Sequence, residues 1–119
     1  MVSLLSRIVA PLLVLLFLTA GPAQAHDQLI GTQPTDGASL KEAPQDLTLT
    51  FSGALSDIGA QVTVTNGGGD SFTDGDPRVQ GVDLIQDLAE LPKGDYEVLW
   101  RVTSEDGHPI SGSFVFAVT

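Results

Sequence analysis

The groups in this chain best suited to chemistry are two histidines, one of them in a short acidic motif. His108 follows Asp106 by two positions in the polar stretch Ser104–Pro109. In an extended segment, side chains two residues apart project to the same side, roughly 6–7 Å from each other. Gly107 between them permits close approach, and Pro109 favours an extended conformation at His108. The spacing therefore predicts that a carboxylate and an imidazole converge on one metal ion.

The other histidine, His26, follows a segment with the features of a secretory signal peptide. Arg7 supplies a positive charge, Ile8–Leu18 is almost purely apolar, and Ala23-Gln24-Ala25 has the small-x-small pattern that signal peptidase cuts. A membrane anchor is the alternative, but a proline interrupts the run, which is shorter than the roughly 20 apolar residues of a span. We therefore predict that residues 1–25 are a signal peptide and that the mature protein is periplasmic or secreted.

Cleavage after the signal peptide would leave residues 26–119 as one domain with a histidine at its N-terminus. No second apolar stretch follows, so we expect no membrane span in this part. An N-terminal histidine offers two nitrogen donors, the α-amine and the imidazole, which close a chelate ring. With Asp106 and His108, His26 would complete a set of three nitrogens and one oxygen. A roughly planar set of this kind suits Cu(II) best, whereas Zn(II) prefers a tetrahedron, so we predict one Cu(II) ion per chain.

The same residues have a simpler interpretation, in which they bind no metal. A histidine at a chain end is usually disordered. An Asp-Gly-His sequence is usually a turn, in which the aspartate, here Asp106, accepts backbone hydrogen bonds. A dedicated Cu(I) site is disfavoured in either case, because the chain has no cysteine and its only methionine, Met1, would leave with the signal peptide.

Composition narrows the possible function classes. Fifteen acidic residues stand against five basic ones, and this formal net charge of -10 disfavours nucleic acid or an anionic membrane surface as a partner. Without cysteine there is no thiol nucleophile and no iron–sulfur cluster. The aspartates around Gly75 do not follow the order of a calcium loop, and Ser104 near Asp106 and His108 is not in a nucleophile elbow. We predict no catalytic or cofactor-binding residue and a protein that is not an enzyme.

Alternation of apolar and polar residues with a period of two predicts the elements that must position these groups. Four segments show it clearly, namely Leu47–Ser52, Val62–Thr65, Tyr96–Thr103 and Ser113–Val118. Two weaker segments lie at 28–32 and 81–85, and Gln86–Glu90 is predicted to form at most a single turn. Glycine- and proline-marked turns separate the strands. This pattern predicts an all-β chain, an immunoglobulin-like Greek-key β-sandwich or barrel of about seven strands.

Several pieces of the chain together form a more specific combination than any one of them alone. They are Ala25 followed by His26, Pro34-x-Asp36-Gly37, Leu47–Ser52, the block from Gly94 through Trp100 to His108, and Gly112-x-Phe114-x-Phe116. In this combination the chain resembles the CopC-type periplasmic copper-resistance proteins. The resemblance implies a seven-stranded Greek-key β-sandwich that binds Cu(II) through the His26 amine and imidazole, Asp106 and His108. It also implies copper sequestration, resistance or delivery, often with a membrane copper transporter of the CopD type.

Two features depart from the pattern of that family. Some members carry a second, methionine-rich Cu(I) site, which this chain cannot form. Members also often have an acidic residue directly after the Phe-Ser of the second strand, whereas here Gly53 follows Phe51 and Ser52. We therefore expect an outer-shell hydrogen bond to be missing from the site, and such partners change metal affinity about 10–100-fold.

Two other function classes stay open at this point. A small copper oxygenase could use an N-terminal histidine brace with overlapping ligands, although Asp106 would fill a position that oxygen activation needs open. A β-sandwich interaction domain would bind no metal, and both histidines would be incidental. Copper binding needs neutral imidazoles and an uncharged amine, whose ordinary pKa values are about 6.5 and about 7.7–8.0. The copper hypothesis therefore predicts weaker binding in mildly acidic solution.

Overall fold

The structure is a computed structural model that describes residues 27–119, and these form two four-stranded sheets. The strands are β1 (Leu29–Gln33), β2 (Ala38–Leu40), β3 (Asp46–Phe51), β4 (Gln61–Thr65), β5 (Arg78–Gln80), β6 (Asp83–Asp87), β7 (Gly94–Thr103) and β8 (Pro109–Val118). One sheet has the order β1-β3-β6-β5 and the other β2-β8-β7-β4. All neighbours are antiparallel except β2 and β8. The predicted signal peptide and His26 lie outside the described residues. Within residues 27–119, no helix has the length and apolar character that a membrane crossing requires.

The core lies between the two sheets and follows from the period-two alternation of the sequence. In β7, the side chains of Tyr96, Val98, Trp100 and Val102 are buried, and the residues between them are exposed. The same alternation buries every second residue of β3 and β4. Full burial of such a side chain contributes about 1.5–3 kcal/mol. Packing of this kind holds together a domain that has no cysteine and hence no disulfide.

The predicted all-β sandwich is confirmed, with eight strands rather than about seven. The four clearly alternating segments form β3, β4, β7 and β8, and the two weaker ones form β1 and β6. Sequence patterning did not predict β2 and β5, which have three residues each and lie at sheet edges. Three residues are too few to show an alternation, so only the pairing with a longer neighbour makes these segments strands.

The prediction for Gln86–Glu90 is wrong in part, because Gln86 and Asp87 continue strand β6. Gln86 takes an inward position and is completely buried, so a polar residue interrupts the apolar alternation there. Its Nε2 donates hydrogen bonds to the carbonyls of Gly75 and Asp87, at 3.0 and 2.8 Å. These bonds replace the hydration that the NH2 group loses on burial, whereas Oε1 is buried without a hydrogen-bond partner, so the inward glutamine is compensated only in part.

One end of the sandwich brings together segments that are far apart in the sequence. Residues 104–108 connect β7 to β8, and the segment that follows β3 runs beside them. Leu55 forms a β-bridge with Ser104, and the Ser56 N–H donates a hydrogen bond of 2.8 Å to the Thr103 carbonyl. The segment after β3 is therefore fixed against the β7–β8 connection.

The start of the described chain lies against the same segment. The Gln28 N–H donates to Ser52 Oγ, and the Ser52 N–H donates to the Gln28 carbonyl, each at 2.8 Å. The pairing continues with Leu29 opposite Phe51 in strands β1 and β3. Gln28, the segment after β3 and the β7–β8 connection are thus linked by main-chain hydrogen bonds and by one bond to the Ser52 hydroxyl.

Candidate metal centre

The connection between β7 and β8 is a tight turn that its own backbone closes. The Ser104 N–H donates to the His108 carbonyl, and the Gly107 N–H donates to the Ser104 carbonyl, both at 2.9 Å. Gly107 has a φ of +90°, in the left-handed region that favours glycine. The prediction that Asp106–His108 is extended is therefore wrong, because these bonds reverse the chain direction between Ser104 and His108.

The turn brings the side chains of Asp106 and His108 into contact. Asp106 Oδ1 accepts hydrogen bonds from the Ser104 hydroxyl and, at 3.1 Å, from the His108 N–H. Asp106 Oδ2 lies 3.0 Å from His108 Nδ1. The interpretation of the motif as a turn in which Asp106 accepts a backbone hydrogen bond is therefore confirmed. The same turn keeps the predicted ligand pair together and accessible, because 72% of the His108 side-chain surface and 55% of that of Asp106 are exposed.

These contacts favour the ionised form of Asp106. The Ser104 hydroxyl has the largest effect, followed by the side chain and the backbone N–H of His108, and they lower the pKa of Asp106 from 3.8 to about 2. The carboxylate is therefore negatively charged at every pH at which an imidazole is neutral. A permanently charged oxygen beside an imidazole is a suitable pair of donors for a divalent cation.

The contact with Asp106 also orients the His108 ring. With a proton on Nδ1 that is donated to Asp106 Oδ2, His108 Nε2 carries the lone pair that a metal ion would use. Carboxylates commonly fix the tautomer of a metal-binding histidine in this way. An ionised carboxylate has about four acceptor positions, and three donors from Ser104 and His108 occupy three of them. A metal ion on Nε2 would lie across the ring from Asp106, so in that arrangement Asp106 orients His108 without binding the same ion. Joint coordination requires the ion to replace the proton between Nδ1 and Oδ2, which lie 3.0 Å apart.

The third predicted ligand, His26, lies outside the described residues, but the next residue, Asp27, is described. The Asp27 carboxylate rests on Gly53, because a Cβ atom at position 53 would lie 2.7 Å from Asp27 Cγ and 3.1 Å from its Oδ2. A carboxylate thus occupies the space beside the residue that follows Phe51 and Ser52. The sequence places no acidic side chain at position 53, and the fold brings one there from the start of the chain.

The described residues contain only part of the predicted donor set. Among residues 27–119, no three histidine, aspartate or glutamate side chains are grouped so that they could hold a metal ion. Asp106 and His108 supply two donors. The predicted four-donor Cu(II) set needs two more nitrogens, which the hypothesis assigns to the amine and imidazole of His26.

Two polar residues beside the candidate site are not among the predicted ligands. Ser104 is only 4% exposed, and its hydroxyl donates to Asp106. The sequence could have predicted this contact. Ser104 follows Trp100 and Val102 on the buried face of the alternation, and a buried hydroxyl needs a hydrogen-bond partner. No sequence signal indicates the contact between Asp27 and Gly53, which joins positions 26 residues apart through the pairing of two strands.

Comparison with known proteins relates nearly all of the described residues to one family. The family model described as the CopC domain matches residues 29–119. The chain is similar to "Copper resistance protein C" of Xanthomonas campestris pv. juglandis, with 34% identity over 110 residues, 85% of this chain and 86% of that protein. It is also similar to "Copper transport protein CutJ" of Bacillus subtilis (strain 168), with 26% identity over 113 residues, 90% of this chain but 21% of that longer protein.

A solved structure shows the same architecture. The crystal structure of CopC from Methylosinus trichosporium OB3b matches with a TM-score of 0.72 and 26% sequence identity, over 78% of this chain and 93% of that chain. The likeness extends over both sheets of the sandwich rather than over a single hairpin. It agrees with the all-β fold and with the resemblance that the sequence motifs indicate.

Proposed function

Because this chain belongs to the CopC domain family, we propose that it is a periplasmic or secreted Cu(II)-binding protein of copper resistance and that it is not an enzyme. The family match supports copper as the cargo, since the relative of similar length is named as a copper resistance protein. The finer assignment concerns the oxidation state, the ligands and the compartment. It rests on this chain's own residues.

The observation that carries the proposal is the contact between Asp106 Oδ2 and His108 Nδ1, at 3.0 Å on an exposed turn. The carboxylate is ionised, and a metal ion that replaces the proton between these two atoms would be bound by both residues. Oxygen and imidazole nitrogen in this arrangement are donors that Cu(II) accepts readily, and the chain has no cysteine to favour Cu(I). The donor set therefore fits Cu(II).

We assign the other two donors to the α-amine and imidazole of His26. Support comes from the start of the described chain, where Gln28 is hydrogen-bonded to Ser52 at the end of the sandwich that carries the Asp106 turn. This assignment requires cleavage after Ala25, and hence export of residues 26–119. One Cu(II) ion per chain would then be bound by three nitrogens and one oxygen.

Delivery of the copper to a membrane transporter of the CopD type completes the proposal. It is supported by the longer copper transport protein to which this chain is similar over about a fifth of that protein's length, 21%. If the chain delivers copper, deletion of the transporter should abolish its effect on cellular copper uptake. An unchanged effect would restrict the role to sequestration.

The decisive experiment is a Cu(II) titration of the exported protein, whose intact mass first establishes that it begins at His26. We expect saturation at one equivalent and an electron paramagnetic resonance spectrum with hyperfine splitting from several nitrogens. The variant with one alanine added before His26 should bind at least about 10-fold more weakly, because it loses the amine from the chelate ring. Copper binding no tighter than that of an unstructured peptide beginning with histidine would refute the proposal.

A further inference from the structure

The contact between Asp27 and Gly53 suggests a role for a residue that the proposed copper site does not use. We propose that Asp27 is a positioning residue, whose carboxylate rests on Gly53 and fixes the start of the mature chain beside the Asp106 turn. This inference rests on the proposed function, because it concerns how the terminal nitrogen donors are held. Asp27 itself need not touch the metal.

In the structure the contact uses space that glycine leaves free at position 53. A Cβ atom there would lie 2.7 Å from Asp27 Cγ, and closer still to Oδ1, which is inside any normal contact distance. The backbone gives no other reason for glycine, since Gly53 is not among the glycines with a positive φ. The absence of a side chain at position 53 thus serves to make room for the carboxylate of Asp27.

Backbone bonds on the next residue complete the attachment. Gln28 exchanges two hydrogen bonds with Ser52, both 2.8 Å long. The Asp27 carboxylate therefore packs on Gly53, and Gln28 is hydrogen-bonded through its main chain, on the same short segment that follows β3. Because consecutive Cα atoms are about 3.8 Å apart, this attachment begins only one residue from the proposed terminal donors.

The segment that holds Asp27 also leads directly to the candidate ligands. Two residues after Gly53, Leu55 forms its bridge with Ser104, the residue whose hydroxyl binds Asp106. Holding the chain start here reduces the conformational entropy that the terminal donors lose when they bind a metal ion. The same negative charge also favours a nearby cation, although at a half-buried position that still contacts solvent this contribution is modest.

We expect copper affinity to fall when the contact between Asp27 and Gly53 is disturbed. Asp27→Ala removes the carboxylate, and Gly53→Ala fills its place with a methyl group. Each should weaken Cu(II) binding about 10-fold, at the lower end of the range for residues that orient metal ligands. Gly31→Ala is the matched control, because a Cβ atom at position 31 meets nothing within 4 Å.

A double-mutant cycle tests whether the two residues act as one unit. If Asp27 acts through its contact with Gly53, the double variant should bind copper about as weakly as either single variant. Independent effects would instead multiply to a loss of about 100-fold relative to the wild type. Two further readouts distinguish positioning from general stability. Amide exchange at Gln28 should accelerate in the metal-free single variants, and the nitrogen hyperfine pattern of the Cu(II) spectrum should broaden.

The outcomes separate this inference from the proposed function. Unchanged copper affinity and unchanged Gln28 exchange in Asp27→Ala would overturn the inference, while a strong loss in His108→Ala would leave the proposed function standing. Fully additive effects of Asp27→Ala and Gly53→Ala would also overturn it, because the two residues would then act separately. Unchanged affinity in both His108→Ala and the N-terminally extended protein would instead refute the copper site itself.

Discussion

Two polar turns lie at opposite ends of β7, and in each a side-chain oxygen accepts hydrogen bonds from backbone N–H groups. Only one of them carries the proposed metal ligands. The turn at 66–70 follows β4, whose last residue pairs near the start of β7, and the turn at 104–108 follows the end of β7. In the first, Asn66 Oδ1 accepts hydrogen bonds from the Gly68 and Asp70 N–H groups, at 3.1 and 2.9 Å. The side chain of Asn66 thus replaces a backbone acceptor and stabilises the turn.

In the second turn, Asp106 plays the corresponding part, but its carboxylate has further partners. Besides the His108 N–H, it contacts the His108 imidazole and the hydroxyl of buried Ser104. Both turns contain a glycine with positive φ, at 81° for Gly69 and 90° for Gly107. The comparison teaches that the backbone geometry of a turn does not make a site. The difference lies in a charged acceptor, an adjacent imidazole and a hydroxyl that holds the acceptor in place.

The largest effect should come from removing the imidazole. His108→Ala deletes a predicted copper ligand, and we expect Cu(II) affinity to fall by more than about 100-fold, beyond the range typical of outer-shell changes. Asn66→Ala, which removes the central acceptor of the other turn, should leave copper affinity unchanged. Calorimetric titration of both variants measures the difference. Equal effects of the two substitutions would show that the turns do not differ as proposed.

The next effect should come from neutralising the central carboxylate. Asp106→Asn keeps the shape but removes the charge, so we expect Cu(II) affinity to fall about 10–100-fold. Because the pKa of Asp106 is lowered to about 2, the carboxylate is ionised from about pH 4 upward, and the ratio of wild-type to variant affinity should be similar at pH 5 and pH 8. Competition titrations at both pH values measure it. Asp70→Asn is the matched control in the turn at 66–70. An equal loss of copper affinity in that variant would contradict the assignment of the site to the turn at 104–108.

The sequence predicted the sandwich well because its evidence is local and repeated. Tyr96, Val98, Trp100 and Val102 alternate with polar residues, and a ten-residue strand with one buried face follows directly from that pattern. The alternation does not predict burial that depends on a partner elsewhere in the chain. Gln86 reads as a polar turn residue, and only the carbonyls of Gly75 and Asp87 make its inward position acceptable.

The candidate site was predicted in composition but not in conformation. The residue types and spacing of Asp106 and His108 indicate a donor pair, and the structure brings them together through a turn, whereas the spacing predicts an extended segment. The glycines are a second example. Gly53 and Gly112 are needed for space, beneath the Asp27 carboxylate and the Trp100 ring, where a Cβ at 112 would lie 2.9 Å from Cε2. Such needs arise from partners across the fold, which no local pattern contains.

A smaller effect should follow from removing the hydroxyl that holds Asp106. Ser104→Ala leaves the acceptor and the imidazole in place, so we expect copper affinity to fall only a few-fold, in keeping with a single lost hydrogen bond of about 1 kcal/mol. The pKa of Asp106 should rise towards its ordinary value, because the Ser104 hydroxyl is the largest cause of its depression. Carboxyl chemical shifts during an acid titration measure that pKa. Ser104→Thr should restore both the copper affinity and the lowered pKa of Asp106. An unaltered pKa in Ser104→Ala would mean that the hydroxyl does not lower the pKa of Asp106.

The smallest effect should appear in the acid stability of the metal-free protein. The pKa of Asp106 is about 2 in the folded chain and ordinarily 3.8, so its ionised form is favoured by folding. This contribution to the free energy of unfolding is fully present above about pH 4 and is lost as the pH falls through about 2. Urea unfolding between pH 4 and pH 2 should therefore show a flatter pH dependence in Asp106→Asn than in the wild type, with Ser104→Ala in between. An identical slope in all three proteins would mean that the turn at 104–108 favours the charged carboxylate no more than the unfolded chain does.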